Sequence, residues 1–277
     1  MMAGLKKADI VNTVQTYNFD DSMQVLKNDR CLELGISSLY AFDNRSREYV
    51  VAADACADIM VHYDKNKSHM GIELVGPHDD LDKLALYDGH RYFGIRLLPG
   101  YSPVVAGENI KDIRGSIIRI DTGNLCNMLM DAIGENDEFS LQCDAVLKGM
   151  EQLYCKKINE SESLQSDLSD WIMNVIINSP KKYSLYELEQ ASGYSARYLN
   201  KVFGRYTGYS ISKFSNIIRA QRVGDYMYRC KRNMKSPDYT GIACKLGYTD
   251  QAHMIHDFEK HFGMAPLMFY RKYAILQ

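Results

Sequence analysis

A stretch that occurs twice limits what this chain can fold into. Ile242-Ala243-Cys244-Lys245-Leu246-Gly247-Tyr248 parallels Leu188-Glu189-Gln190-Ala191-Ser192-Gly193-Tyr194. Further on, Met254, Phe258, Gly263 and Phe269 stand where the first copy has Leu199, Phe203, Gly208 and Phe214, with one extra residue in the second turn. Such a repeat is far more specific than either half alone. Each copy reads as a short helix, a glycine turn and a second helix. Ser184-Leu185-Tyr186-Glu187 matches a capping box, in which serine and glutamate satisfy each other's backbone amides. Gly193 supplies the positive φ that stops the short helix, and Ser195 caps the next one, Ala196 to Tyr206. There Leu199, Val202, Phe203 and Tyr206 share one face, and Arg197, Asn200, Lys201 and Gly204 the opposite one. An apolar back fixes such a helix to its neighbour, while the Arg/Asn/Lys front offers donors to phosphates and base edges.

The flanking residues extend the pattern. Leu168, Trp171, Ile172, Val175 and Ile176 form a helical stripe that ends near Ser179-Pro180. Between the copies, Ser212 to Cys230 reads as one helix striped by Phe214, Ile217, Ile218, Val223 and Met227. Nineteen residues span about 28 Å, close to one duplex turn of roughly 34 Å. Such a helix can set two recognition helices into successive major grooves. A generic helical bundle needs neither two glycine turns nor a basic front.

Charge divides the chain in the same place. Residues 1–165 hold 17 Lys+Arg against 26 Asp+Glu, whereas residues 166–277 hold 16 against 9. An acidic first part joined to a basic last part points to two modules with different partners. With 46% hydrophobic residues the chain can bury real cores. No run is apolar enough to span a membrane, and the N-terminus shows no secretory h-region. Seven cysteines without a CxxC exclude cysteine-pair zinc sites and thioredoxin-type chemistry, so a reduced, cytoplasmic protein is expected.

From about residue 30 to 120 the chain reads as short strands and turns. Leu32 to Ile36 alternates, Asp58 to Asp64 is a compact apolar run, and Arg91 to Leu97 sets Phe93, Ile95 and Leu97 against Tyr92 and Arg96. Ser116 to Ile120 suits another strand, and short strands at this spacing argue for an antiparallel barrel or sandwich. Residues 124–157 read as helices, and Val146, Leu147, Met150, Leu153 and Tyr154 form a stripe suited to a core or to a homodimer seam along 137–154. Residues 159–165 make the best linker. The expected architecture is therefore α+β: a regulatory domain at 1–158, then an all-α domain at 166–277. Its helix-turn-helix motifs fall at about 185–206 and 239–262.

Residues 166–275 resemble the DNA-binding domain of the AraC/XylS family of bacterial transcription regulators. The resemblance rests on Ser184 to Leu188, Gly193-Tyr194-Ser195, Leu199, Phe203 and Gly208, then on Ile242-Ala243, Gly247-Tyr248, Asp250, Phe258, Phe262 to Pro266 and Tyr270-Arg271. Phe93 to Gly100 also looks like an effector domain of some members, which implies a β-rich, cupin-like sensor. The family pattern places base contacts on Arg197, Asn200 and Lys201, flanked by Tyr198 and Arg205, with a phosphate at Ser195. In the second copy it implies Thr249, Gln251, Ala252, His253, Ile255 and His256. That copy departs from the pattern: members often carry arginine where His256 stands, and Glu259 would repel phosphate. The first helix is thus expected to supply more affinity, and the second to respond to pH through His253 and His256. Glu189 replaces an alanine, with either a solvent or a helix-pair orientation open to it.

The resemblance implies double-stranded DNA as partner, RNA polymerase as the target of activation, and a small-molecule effector or a homodimer as control. His62 and Arg96 are candidate effector-binding residues, as a pair favouring an anion. Two other classes compete with this one. An enzyme fused to the same double motif, as in some alkyl-transfer repair proteins, would need metal-spaced thiols near its start, and Cys31 and Cys56 stand alone. No GxGxxG, GxSxG, HExxH or P-loop occurs, so neither catalytic residues, nor a cofactor, nor a metal is expected. The alternative function is an interaction protein that modulates another regulator without reading DNA.

Overall fold

The computed structural model describes residues 23–44, 48–80, 82–101, 110–158, 164–179 and 183–272. The first half is built on a six-stranded antiparallel sheet of β1 (Gln24–Leu26), β2 (Ile36–Asp43), β4 (Asp58–Tyr63), β5 (Met70–Val75), β7 (Arg91–Leu97) and β8 (Ile117–Arg119). The order is β1-β2-β7-β4-β5-β8, and β3 (Glu48–Val51) pairs with β6 (Asp82–Ala85) in a separate two-stranded sheet. Strand alternation gives the large sheet two apolar faces. Leu39, Ile59, Val61, Phe93 and Ile95 turn one way and pack against α3 (Asn124–Gly134) and α4 (Phe139–Ile158). Tyr40, Phe42, Met60 and Tyr92 turn the other way and meet Val51 and Leu84 of the small sheet. Gly94 is required within β7 because the Tyr40 ring lies over it; a Cβ there would sit 2.0 Å from the ring. The observed class is an antiparallel sheet domain followed by a helical region.

Two expectations change. Leu32 and Glu33 belong to α1 (Asp29–Glu33), not to a strand. Asn28 caps that helix by accepting from the Cys31 amide at 2.9 Å, and Gly35, at φ 70°, turns the chain into β2. Of the linker at 159–165, residues 159–163 lie outside the described residues and the last two already belong to α5 (Leu164–Asn178). Val146, Leu147 and Met150 are buried against α3 and the sheet, so this stripe is spent within the chain. A homodimer along α4 would have to use its outer face, where Leu141 is exposed.

The second half consists of α5, α6 (Leu185–Ser192), α7 (Ala196–Thr207), α8 (Ile211–Arg232), α9 (Tyr239–Lys245), α10 (Gln251–Phe262) and α11 (Pro266–Lys272). It has two cores joined by α8. Ile172, Ile176, Leu188, Leu199, Phe203, Phe214 and Ile218 fill the first. Val223, Met227, Ile242, Met254, Phe258, Phe262 and Phe269 fill the second. The 22 residues of α8 span about 33 Å, nearly one turn of duplex. Arg222 on α8 donates to the carbonyl of Ile177 at 2.6 Å and also to that of Ser179, satisfying the C-terminus of α5. Arg219 lies 3.9 Å from the Tyr248 ring centre and pairs with Asp257 at 3.2 Å, so a buried arginine paired with a half-buried carboxylate holds α8 to α10. Tyr248 donates to the same carboxylate at 2.8 Å, and burial beside Asp257 pushes its phenol pKa upward. No helix among the described residues is long and apolar enough to cross a membrane.

Candidate nucleic-acid interface

The first helix-turn-helix is set by its caps. Ser184 accepts from the Glu187 amide at 3.2 Å and Glu187 accepts from the Ser184 amide at 2.8 Å. Gly193 takes φ 74° at the C-cap of α6. Ser195 then caps α7, accepting from the Tyr198 amide at 3.4 Å. Glu189 reaches across the turn and accepts from the Ala196 amide at 2.5 Å. This answers the question of its orientation: the carboxylate is half-buried and sits on the positive end of α7. Two of the amides that Ser195 was expected to offer a phosphate are therefore already satisfied.

With Leu199, Val202 and Phe203 buried, the outer face of α7 carries Arg197, Lys201 and Arg205, all exposed and spaced one turn apart. Arg197 and Lys201 form no ion pair with a described residue. Tyr198 is half-buried, its ring 5.0 Å from that of the exposed Tyr194. Asn200 differs from the other expected contacts. Its amide nitrogen donates to the Ala196 carbonyl at 3.0 Å and its oxygen accepts from the Ile211 amide at 3.1 Å. The first bond stays within α7, and the second joins α7 to the start of α8. The sequence holds no local sign of this, because the partner is eleven residues away; the role of Glu189 was equally hidden across a turn.

The second motif repeats the plan with other residues. Asp250 caps α10, accepting from the His253 amide at 2.7 Å. Gln251, Ala252, His253, His256 and Glu259 are exposed, as is Thr249. His253 Nδ1 lies 3.3 Å from the Thr249 hydroxyl, and the Thr240 hydroxyl donates to Gln251 at 3.4 Å. Ile255 is half-buried and packs against the second core.

His62 and Arg96 share the face of the large sheet that looks toward the small one, but they do not meet. Register pairs Asp58 with Arg96 and His62 with Tyr92, four residues or about 13 Å along the strands. His62 stacks on Tyr87, and its Nδ1 is 3.1 Å from that of His90. Burial, then His90 and Arg119, lower its pKa to about 4. Arg96 is buried between Asp54 and Asp58, 2.9 Å from the latter. An incoming anion would have to displace a carboxylate there. The space beside Arg96, lined also by Cys56, His78, Leu84 and Leu86, amounts to about 20 Å³, room for one water. No cluster of three or more metal-ligating side chains occurs among the described residues.

Comparison with known proteins bears on this geometry. A family described as a helix-turn-helix domain matches residues 188–272. A search of curated proteins finds no match. Among solved structures, the apo form of a variant of ToxT from Vibrio cholerae strain SCE256 is similar at 12% identity and TM-score 0.46, covering 92% of this chain and 98% of that one. ToxT from Vibrio cholerae in its P21 form gives 14% identity and TM-score 0.43, covering 90% and 98%. Wild-type ToxT with a bound unsaturated fatty acid gives 11% and 0.42, covering 91% and 95%.

Proposed function

We propose that this chain is a transcription regulator of the AraC/XylS type, whose helix-turn-helix domain at 188–272 reads DNA chiefly through α7, with α10 as a weaker second reader. The observation that carries this reading is the exposed stripe of Arg197, Lys201 and Arg205 on a helix whose back is buried. Arg and Lys reach guanine O6/N7 or phosphates from such a position. A helix of about one duplex turn connects it to α10, where an exposed thymine-sized apolar contact, Ala252, lies beside His253 and His256. The remaining expected contacts, Tyr198, Thr249 and Gln251, flank these two faces. In this reading Asn200 and Ile255 act as anchors rather than as base readers.

The second part of the proposal is control by the acidic half. It is supported by a direct interface, in which Arg114 donates to the Gly208 carbonyl at the end of α7 and Lys213 of α8 lies 3.8 Å from Asp80. A small effector, a second copy of the chain, or both would act through such contacts, and RNA polymerase is the proposed target of activation.

The test is fluorescence anisotropy of the full chain against the duplex upstream of its own gene and a scrambled duplex, at two salt concentrations. Preference for the native duplex, with affinity falling steeply with salt, is expected. Salt-insensitive binding, or none, would move the chain to the interaction-protein reading.

A further inference from the structure

Among the described residues, only two elements contribute to both cores of the DNA-binding half. One is α8. The other is the loop between β3 and β4, which belongs to the first half: Ala52 packs in the second core, and Ala53 and Ala55 pack in the first. The loop's backbone is also held from both sides. The Ala53 amide donates to the His261 carbonyl near the end of α10 at 3.2 Å. The Ala53 carbonyl accepts from Gln221 Nε2 of α8 at 2.7 Å, and Gln221 is wholly buried.

From behind, the loop is tied to its own domain. Gly100 donates to the Ala55 carbonyl and Leu97 to that of Ala57, at 2.8 and 2.9 Å. Asp54 accepts from the Cys56 amide at 2.9 Å and pairs with Arg96 of β7. Ala55 holds φ 58°, a conformation that a non-glycine residue keeps only under such constraint. The loop is therefore a stiff piece seated between two lobes that otherwise share one helix.

We propose that residues 52–56 are a specificity element, a wedge that fixes the spacing of the two recognition helices and so the spacing of the DNA segments they accept. A single helix bends over 22 residues; a second strut in both cores removes that freedom. The wedge positions and does not touch DNA, so its loss changes spacing tolerance more than base preference. This inference rests on the DNA-reading assignment. It would also make the Arg96–Asp54 pair the point at which a change in the first half reaches both lobes.

The experiment is selection of random-sequence duplexes by the full chain and by two full-length variants, Ala53→Glu and Gln221→Met. Ala53→Glu places a carboxylate in the first core and pushes the wedge out. Gln221→Met removes one donor and keeps the volume, so it reports even where the first variant folds poorly. The unmodified chain is expected to enrich two sequence elements at one spacing. The variants should enrich the same elements at several spacings. Inserting one base pair moves the second element by about 3.4 Å and about 35°. It should weaken the unmodified chain about tenfold and Gln221→Met about threefold or less. Variants that keep the single spacing and the full insertion penalty would overturn the wedge and leave the DNA reading intact. Failure of the unmodified chain to enrich any duplex would overturn both.

Discussion

The two helix-turn-helix lobes share a backbone plan and differ in what they do with it. Matching Leu199 to Met254 sets Arg197, Lys201 and Arg205 opposite Ala252, His256 and Lys260, and Glu259 adds a negative charge to the second front. The position that faces inward is used in both lobes but by opposite chemistry. Asn200 ties α7 to α8 by a hydrogen bond to the Ile211 amide, whereas Ile255 packs into an apolar core. At the helix start, Glu189 occupies the first amide of α7, whereas its counterpart is Ala243, buried against the second core. A repeat thus preserves the shape needed to dock a helix while leaving each lobe free to set its own charge. The difference concentrates positive charge on the front of the first lobe.

The largest expected effect tests that concentration. Arg197→Ala with Lys201→Ala should cost about 2–4 kcal/mol of DNA binding and flatten the salt dependence by about two phosphate equivalents. His256→Ala with Lys260→Ala should cost about 1 kcal/mol. Titration of both double variants against one duplex decides it. Equal losses would remove the asymmetry, and a larger loss in the second lobe would reverse it.

A middle-sized effect separates anchoring from reading. Asn200→Ala should destabilise the fold by about 1–2 kcal/mol by leaving the Ile211 amide without its partner. Ile255→Ala should cost a similar ~1–2 kcal/mol through lost apolar burial. Both should leave base preference unchanged in duplex selection, with the loss read by thermal denaturation. An altered preference at one base pair in Asn200→Ala would show that the amide leaves its partners to reach adenine.

The sequence made the helices of the second half legible because caps, glycine turns and apolar stripes are local signals. Ser184, Gly193, Ser195 and Gly263 each act on residues within one turn. Strand alternation similarly located the two faces of β7. Contacts made at a distance were not readable. Helical periodicity places Asn200 beside Lys201 on the front, and nothing nearby tells that Ile211 will take its oxygen. Arg96 looked like an anion site because its carboxylate partners, Asp54 and Asp58, lie about forty residues earlier and come to it only when β4 pairs with β7. The alternation of Leu32 to Ile36 misled for a related reason: a cap at Asn28 outweighs a short period-two pattern.

The smallest effect concerns Glu189, where two consequences of one carboxylate have opposite signs. On the first turn of α7 it interacts favourably with the helix dipole and fills an amide that would otherwise need water. Glu189→Ala should therefore lower stability by about 0.5–1 kcal/mol. The same charge lies where a phosphate would approach the helix N-terminus, so its removal frees the Ala196 amide and lifts a repulsion. DNA affinity at low salt should rise about two- to threefold, with the gain vanishing as salt screens it. Glu189→Gln divides the two parts, since its amide oxygen can keep the Ala196 bond without the charge. If Glu189→Gln raises affinity as Glu189→Ala does while keeping stability, the repulsion is electrostatic. If only Glu189→Ala raises it, the freed Ala196 amide is the phosphate ligand.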